Sequence, residues 1–313
     1  MMQIGTHQAT GPDPQGAARM QITAGAQARL AAGFGRVPPT ALLLLSILAV
    51  QLGSALATVL FTNLGPAGTT LLSTGFSAAV LTGAAPPRLD SRLRQHARLI
   101  LLFGFVDSCM ALPFFLALQY IPLGIASTIA FLGPLLLAVA LTRRLIHFLW
   151  IGVALLGIGL LTPDIGGHLD ALGLGLAALS ALAWAAFVPI AKQAGRCFQG
   201  IDGLTFAMWA ATAMLLPIAL AERTMLGAHL LDLAGVFAVA LLTVVLPMAM
   251  EFQALRRMSA RSYGILLTLE PACGALVGGI FLGQAMEPRM TIAIACVTLA
   301  AIGITLTDRQ DES

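Results

Sequence analysis

The stretch RLILLFGFVDSCMALPFFLAL, residues 98–118, decides the fold class of this chain. After Arg98 it is almost wholly apolar, and Asp107 is its one acidic residue. A bilayer has a hydrocarbon core about 30 Å thick, which a helix of about 20 apolar residues crosses. Similar stretches recur along the chain, separated by prolines, glycines or charges. The predicted transmembrane helices cover residues 40–63, 67–85, 98–118, 123–141, 146–162, 171–191, 203–220, 233–254, 262–283 and 289–307.

The composition agrees with a membrane protein. Hydrophobic residues make up 58% of the 313 residues and charged residues only 10%, where soluble domains carry about 25% charged residues. A soluble globular protein is therefore excluded, and four cysteines are too few for a secreted disulfide scaffold. The apolar stretches lack the period-two alternation of β-barrel strands. The predicted fold class is an all-α membrane protein with ten transmembrane helices.

Lysine and arginine are concentrated on one side of the predicted helices, and cytoplasmic loops carry such a positive excess. Of the 17 basic residues, only Arg223 and Arg289 fall in loops on the opposite side. Both termini are therefore predicted to be cytoplasmic, with the chain in a bacterial inner membrane. Residues 1–38 are expected to form a disordered cytoplasmic leader, and residues 308–313 a cytoplasmic tail.

The chain carries signs of an internal duplication. Pro134 and Pro271 are separated by the same number of residues as Phe115 and Phe252, which begin the related strings FLAL and FQAL. Each predicted half holds five helices, an odd number, so the halves must enter the membrane from opposite sides. Transporters built this way bind substrate near the midplane between the repeats. The predicted repeats are residues 39–163 and residues 170–307.

Several motifs resemble a known family. The strings RSYGILLTLEPA at 261–272 and IFLG at 280–283 are similar to the second half of EamA-type transporters of the drug/metabolite transporter superfamily. The string SALAWAAFVPIAK at 180–192 resembles the opening helix of an EamA repeat. Residues 122–126 and 133–135 resemble the first half of the threonine/homoserine exporters in that superfamily. The resemblance implies an exporter of small amino acids. It also implies two basic residues and a glutamate at three positions, where this sequence has Thr58, Ser73 and Ala130.

Three acidic residues within the predicted helices are candidate binding groups. A charge at the bilayer centre costs about 2.5–3.5 kcal/mol, so its presence indicates a partner, a cavity or a function. Glu270 and Asp107 both lie about 12 Å along their helices from the predicted cytoplasmic ends. We interpret each as a contact for a substrate amine or as a proton carrier, with a structural, protonated acid as the alternative. Glu251 lies close to Arg256 and Arg257, and we interpret it as their partner at the membrane interface.

Two prolines and two aromatic residues complete the candidate site. Pro134 and Pro271 lack the N–H group that would satisfy the carbonyl one turn earlier, so both are predicted helix breaks. A freed carbonyl in a cavity can bind a cation, and a simple packing kink is the alternative. Trp184 and Tyr263 are candidates for lining the substrate path, with interfacial anchoring as the alternative.

The sequence contains no HExxH, GxSxG, P-loop or CxxC motif, so no enzyme activity, cofactor or metal site is predicted. Without an ATP-binding loop, transport energy must come from a gradient of substrate or of an ion such as the proton. We predict a secondary transporter that exports a small molecule by alternating access and has no nucleic-acid partner. Two alternatives stay open: transport of an unrelated metabolite or drug, and an intramembrane aspartyl-type protease whose dyad is Asp107 and Glu270.

Overall fold

A computed structural model describes residues 37–141, 145–161, 170–198, 201–222, 229–255, 257–258, 263, 266–285 and 287–307. The predicted leader up to residue 36, the tail at 308–313 and the loop arginines Arg143 and Arg144 lie outside the described residues. All regular structure within the described residues is helical. The helices are α1 (Pro39–Ala84), α2 (Ser91–Gln95), α3 (Ala97–Ala117), α4 (Leu123–Leu141), α5 (Leu145–Leu161), α6 (Ala171–Cys197), α7 (Asp202–Glu222), α8 (Leu230–Ala240), a π-helical turn (Leu241–Val245), α9 (Leu246–Leu255), α10 (Glu270–Leu282) and α11 (Pro288–Thr307).

The lengths of these helices suit a bilayer. In the described part of the chain, five helical stretches are long and apolar enough to cross a membrane: α1, α3, α6, α7 and the stretch Leu230–Leu255 that contains α8 and α9. Helices α4, α10 and α11 contribute shorter apolar segments. The chain is therefore an all-α membrane protein.

Helix α1 is divided at Gly65. Its 46 residues would extend about 69 Å if straight, more than twice the thickness of a hydrocarbon core. Gly65 adopts φ 66° and ψ 166°, a conformation that side chains with a Cβ rarely take, and Pro66 has no N–H to donate. The hydroxyl of Thr69 donates to the Gly65 carbonyl at 2.7 Å. The two parts match the predicted helices at 40–63 and 67–85.

The helix predicted over residues 262–283 is interrupted just before α10, since Leu266 and Leu267 are already helical. The prediction placed one helix over residues 262–283, whereas Thr268 and Leu269 form a turn and α10 starts at Glu270. Proline is favoured in a first helical turn, where its missing N–H breaks no bond, so Pro271 fits this start. Gly283, at φ 63°, ends the helix in the left-handed conformation that glycine adopts readily. Glu270 therefore lies at a helix end.

The π-helical turn between α8 and α9 is a second departure from the predicted regular helix at 233–254. Pro247 cannot donate to the carbonyl of Thr243, as the α-helical pattern requires. The N–H of Leu246 instead bonds the carbonyl of Leu241, five residues earlier. Such turns are often found at functional sites.

Small residues bring the helices together around a central cavity. A side chain at Gly133 of α4 would overlap the backbone of Ala181 in α6. A Cβ at Gly104 of α3 would lie 2.7 Å from the carbonyl oxygen of Ala207 in α7. Membrane helices associate through such close backbone approaches. Helix α3 packs most extensively on α6, α5 on α11, α4 on α6 and α10, and α1 on α7, α8 and α9.

Candidate functional site

A cavity of about 700 Å³ lies between α1, α3, α4, α6, α7, α9 and α10. Most of its wall is apolar and aromatic. The predicted site residues that line it are Asp107, Pro134, Trp184, Glu251, Tyr263 and Glu270. Pro271 follows Glu270 in the chain but does not line the cavity. Residues from helices far apart in the sequence thus share one space, which is large enough for a small metabolite.

Asp107 lies halfway along α3 with 9% of its surface exposed. Its side chain lines the cavity, and its carboxyl group has no hydrogen-bond or ion-pair partner among the described residues. A buried carboxyl group without a partner is costly. The cavity must therefore supply a proton, water or a cation to this group.

Glu270 stands in the first turn of α10, where a helix favours an acidic side chain. Its backbone is fixed by a neighbour, because Nε2 of Gln51 in α1 donates to the Glu270 carbonyl oxygen at 3.0 Å. Ser127 of α4 in turn donates its hydroxyl to Oε1 of Gln51 at 3.2 Å. The carboxyl group of Glu270 itself has no hydrogen-bond or ion-pair partner within the described residues.

Sequence reasoning missed Gln51, although a signal was present. Gln51 is an amide inside the apolar stretch 40–63, and it is only 1% exposed. A buried amide requires hydrogen-bond partners, which predicts a polar contact with another helix. The identity of that contact is not encoded locally, because Ser127 and Glu270 are distant in sequence.

Glu251 has partners other than the predicted ones. Ser46 of α1 donates its hydroxyl to Oε1 of Glu251 at 2.6 Å, and Tyr263 donates to Oε2 at 2.8 Å. Arg257 instead donates to the backbone oxygens of Gln253 and Val37. Arg256 lies outside the described residues. The expected pairing of Glu251 with the arginines is corrected accordingly: the hydroxyl groups of two neighbouring segments reach its carboxylate.

Trp184 lies within α6 and faces the cavity rather than a helix end. Its ring lies edge-on to Phe131 of α4, with centroids 6.3 Å apart and an interplanar angle of 78°. This contact supports a wall position for Trp184 over the alternative of interfacial anchoring. Tyr263 also lines the cavity while it binds Glu251.

The predicted helix breaks differ from each other. Helix α4 continues through Pro134 from Leu123 to Leu141, so the predicted break there is corrected to a local loss of one bond. Ala130 lines the cavity, and its carbonyl receives no N–H from Pro134. At Pro271 a new helix does begin, because α10 starts at the preceding residue, Glu270.

The charged groups of the cavity wall have one sign. Among the described residues that line it, the ionisable side chains besides Tyr263 are Asp107, Glu251 and Glu270, with no lysine, arginine or histidine. The described part of the chain also contains no group of three or more His, Cys, Asp or Glu that would hold a metal ion. The site is built to attract a positive group.

Comparison with known proteins places the chain in a family. Residues 171–306 match the model of the EamA-like transporter family. The threonine/homoserine exporter RhtA of Escherichia coli (strain K12) is 33% identical over 278 residues, which cover 87% of this chain and 93% of that protein. This chain belongs to the EamA-like transporter family. The threonine/homoserine exporter RhtA of Salmonella typhimurium (strain LT2) matches to the same extent.

A solved crystal structure is among those that share the fold of this EamA-like transporter. It is 22% identical, covers 87% of this chain and 99% of its own, and superposes with a TM-score of 0.57. Membership of the family makes the chain a membrane-embedded transporter of a small molecule and not an enzyme. The aspartyl-protease alternative receives no support from these relatives.

Proposed function

We propose that this transporter exports small amino acids or closely related metabolites by secondary-active transport. Its relatives bear the name threonine/homoserine exporter, and the identity of 33% extends over most of both chains. The observation that carries the proposal is the pair of carboxyl groups, Asp107 and Glu270, that have no partner among the described residues and share a cavity of about 700 Å³. Ionisable groups left unpaired inside a membrane protein mark substrate and proton paths.

The proposed architecture is ten transmembrane helices in a bacterial inner membrane, with both termini cytoplasmic. The first repeat is residues 39–163 and the second is residues 170–307. Reporter fusions test this topology directly. We expect cytoplasmic signals after Ala85, Arg144 and Arg257, and periplasmic signals after Pro66, Gly167 and Gly227. A reversed pair would refute both the orientation and the inverted repeat.

Helix packing supports the two repeats. Exchanging the halves maps the contact of α3 with α6 onto the contact of α8 and α9 with α1, and both contacts are extensive. Hydrogen bonds also join the helix pairs that the exchange relates, α1 with α8 and α3 with α7, although the donor and acceptor residues themselves are not equivalent. The hydroxyl of Ser77 in α1 reaches the carbonyl of Ala240 in α8 at 3.4 Å, and that of Ser108 in α3 reaches Ala211 in α7 at 3.5 Å.

The proposed mechanism is competition at Glu270. A carboxylate in a narrow site binds a protonated amine or a proton, but not both at full strength. A proton that enters from one side of the membrane then favours release of the amine to that same side. Because the cavity opens alternately to the two sides, this exchange of amine for proton moves the amine across the membrane. The carbonyl of Ala130, without its proline partner, adds an acceptor for the same amine.

Efflux from intact cells tests the proposed function. Cells that lack the gene and cells that overexpress it are loaded with a panel of amino acids and of their amine derivatives, and export is followed over time. We expect overexpression to accelerate export of at least one small member of the panel. Equal export of every compound in the two strains, with the protein present in the membrane, would refute the proposal.

A further inference from the structure

Almost all hydrogen-bond donors of the described cavity wall already donate to neighbouring protein atoms. Hydroxyl groups of the wall that donate to neighbouring protein atoms belong to Ser54, Ser73, Ser127, Ser180, Thr243 and Tyr263. The amide of Gln51 donates to the carbonyl of Glu270. Thr268 of the wall also has a partner. Within the described wall, this leaves three side-chain donors without an acceptor: the hydroxyl of Thr74, the indole N–H of Trp184 and the second N–H of the Gln51 amide. All three are neutral.

The cavity wall also contains hydrogen-bond acceptors that receive no bond from a protein donor. The carboxyl groups of Asp107 and Glu270 have no partner among the described residues. The carbonyl of Ala130 loses the N–H of Pro134, the proline one turn later. An ammonium group entering the cavity therefore meets acceptors of full and partial negative charge.

A substrate carboxylate would not be matched in the same way. An ionised carboxylate removed from water needs a cation or several donors. The described wall offers no lysine, arginine or histidine. Neutral donors such as Thr74 and Trp184 suit a hydroxyl or carbonyl oxygen but do not compensate a full negative charge, which the acidic wall also repels.

The N-terminus of α10 does not supply the positive charge that a substrate carboxylate would need. A helix N-terminus attracts anions through its free N–H groups and its dipole. In α10 the first turn already carries the acidic Glu270, and Pro271 contributes no N–H. The field of this helix end therefore acts on the protein's own carboxylate rather than on that of a substrate.

The aromatic part of the wall favours a cation as well. Phe114, Phe131, Trp184 and Phe187 line the cavity. Aromatic faces attract ammonium groups and also accept apolar bodies. A volume of about 700 Å³ exceeds the needs of a threonine-sized molecule and leaves room for a larger apolar group.

We infer that this cavity selects organic monocations, amines whose remainder is uncharged, over zwitterionic amino acids. The inference rests on the proposed function, because it names which of the related metabolites the exporter carries. Asp107 and Glu270 hold the ammonium group, and Thr74 and Trp184 hold an uncharged oxygen of the substrate.

A matched pair of probes tests this selectivity. L-Threonine and L-threoninol share the amine and the side chain, but threoninol has a hydroxymethyl group in place of the carboxylate. The full-length protein is purified and reconstituted in proteoliposomes, and counterflow of each labelled compound is measured, with protein-free liposomes as the correction for leakage. We expect transport of threoninol to exceed that of threonine by about tenfold or more.

A second experiment compares two variants, one of which adds a positive charge to the cavity wall. Ser73 lines the cavity from α1, and its hydroxyl serves only the carbonyl of Thr70. The variant Ser73→Lys adds a cation to the wall, whereas Ser73→Met adds a side chain of similar length without charge. We expect Ser73→Lys to shift the ratio of the two transport rates towards threonine, and Ser73→Met to leave that ratio close to that of the unaltered protein.

The outcomes separate this inference from the function on which it rests. Faster transport of threoninol by the unaltered protein supports the inference, and its ratio alone is decisive if the Lys variant fails to fold. Equal or faster transport of threonine overturns the selectivity while the export function stands. Transport of neither compound, nor of any other member of the efflux panel, refutes the function and the inference together.

Discussion

Glu251 and Glu270 line the same cavity, yet their surroundings differ. The carboxylate of Glu251 accepts hydrogen bonds from Ser46 and Tyr263, whereas the carboxyl groups of Glu270 and Asp107 have no partner in the described residues. A satisfied carboxylate stabilises the contact between the segments that supply its partners. An unsatisfied one costs stability unless a ligand or proton completes it. We propose that this difference separates a structural acid, Glu251, from two acids that act in transport, Glu270 and Asp107.

The largest effect is expected at Glu270. The variant Glu270→Gln keeps the size of the side chain and removes its negative charge, so it loses the attraction for the amine and the ability to exchange a proton. We predict a fall in efflux of about 100-fold or more, with an unchanged amount of protein in the membrane. Glu251→Gln is the matched control, and we expect only a severalfold fall because its hydroxyl partners can still bond an amide.

Efflux assays on membranes with equal protein content measure both variants. Equal losses in the two variants would remove the distinction between the working and the structural acids. Normal efflux by Glu270→Gln would return Glu270 to a purely structural role.

A smaller effect is expected at Asp107. Its carboxyl group is the second acceptor for the amine, so Asp107→Asn weakens binding without ending it. We predict a fall of about tenfold, expressed mainly as a higher apparent KM in proteoliposomes. A change confined to the maximal rate would show that Asp107 acts in the conformational cycle and not in binding.

A still smaller effect is expected at Gln51, whose amide holds the backbone of Glu270 in place. The variant Gln51→Leu removes the hydrogen bond to the Glu270 backbone and leaves the carboxyl group in place. We expect a severalfold loss of efflux with an altered pH profile, because the start of α10 is no longer fixed. Thr58→Val is the control, since it removes a local bond to Ala55 on the same helix outside the cavity wall. An unchanged pH profile in Gln51→Leu would show that the amide only packs.

Much of this arrangement could be predicted from sequence. The break at Gly65 follows from local chemistry, because glycine and proline together end a helix. The acidic residues could be recognised because charges are rare inside the membrane. Both signals depend on residue type alone, and the structure places the chosen residues around one cavity.

The remaining features depend on tertiary contacts. A break at Pro271 could be proposed, but whether and where α10 would start could not be inferred, because membrane helices also continue through prolines when neighbours satisfy the freed carbonyls. The hydroxyl partners of Glu251 and the amide of Gln51 are brought in by distant helices. The π-helical turn before Pro247 is one of several ways in which a helix accommodates a proline.

The smallest effect is expected beside Glu251, whose carboxylate already accepts two hydrogen bonds. The variant Tyr263→Phe removes one hydrogen bond to Glu251 and leaves the one from Ser46. We predict a loss of about 1–2 kcal/mol in the free energy of unfolding and a small change in efflux. Thermal unfolding in detergent and efflux on the same sample measure the two effects, and a large loss of efflux at unchanged stability would make Tyr263 a transport residue.

Proton release on amine binding tests the central claim most directly. The purified protein is titrated with L-threoninol and, separately, with L-threonine in a weakly buffered solution, and the protons released are counted with a pH indicator. We expect the compound that binds to displace protons from the unaltered protein, and Glu270→Gln to release markedly fewer protons. Saturable binding of either compound without proton release would contradict the competition of amine and proton at Glu270.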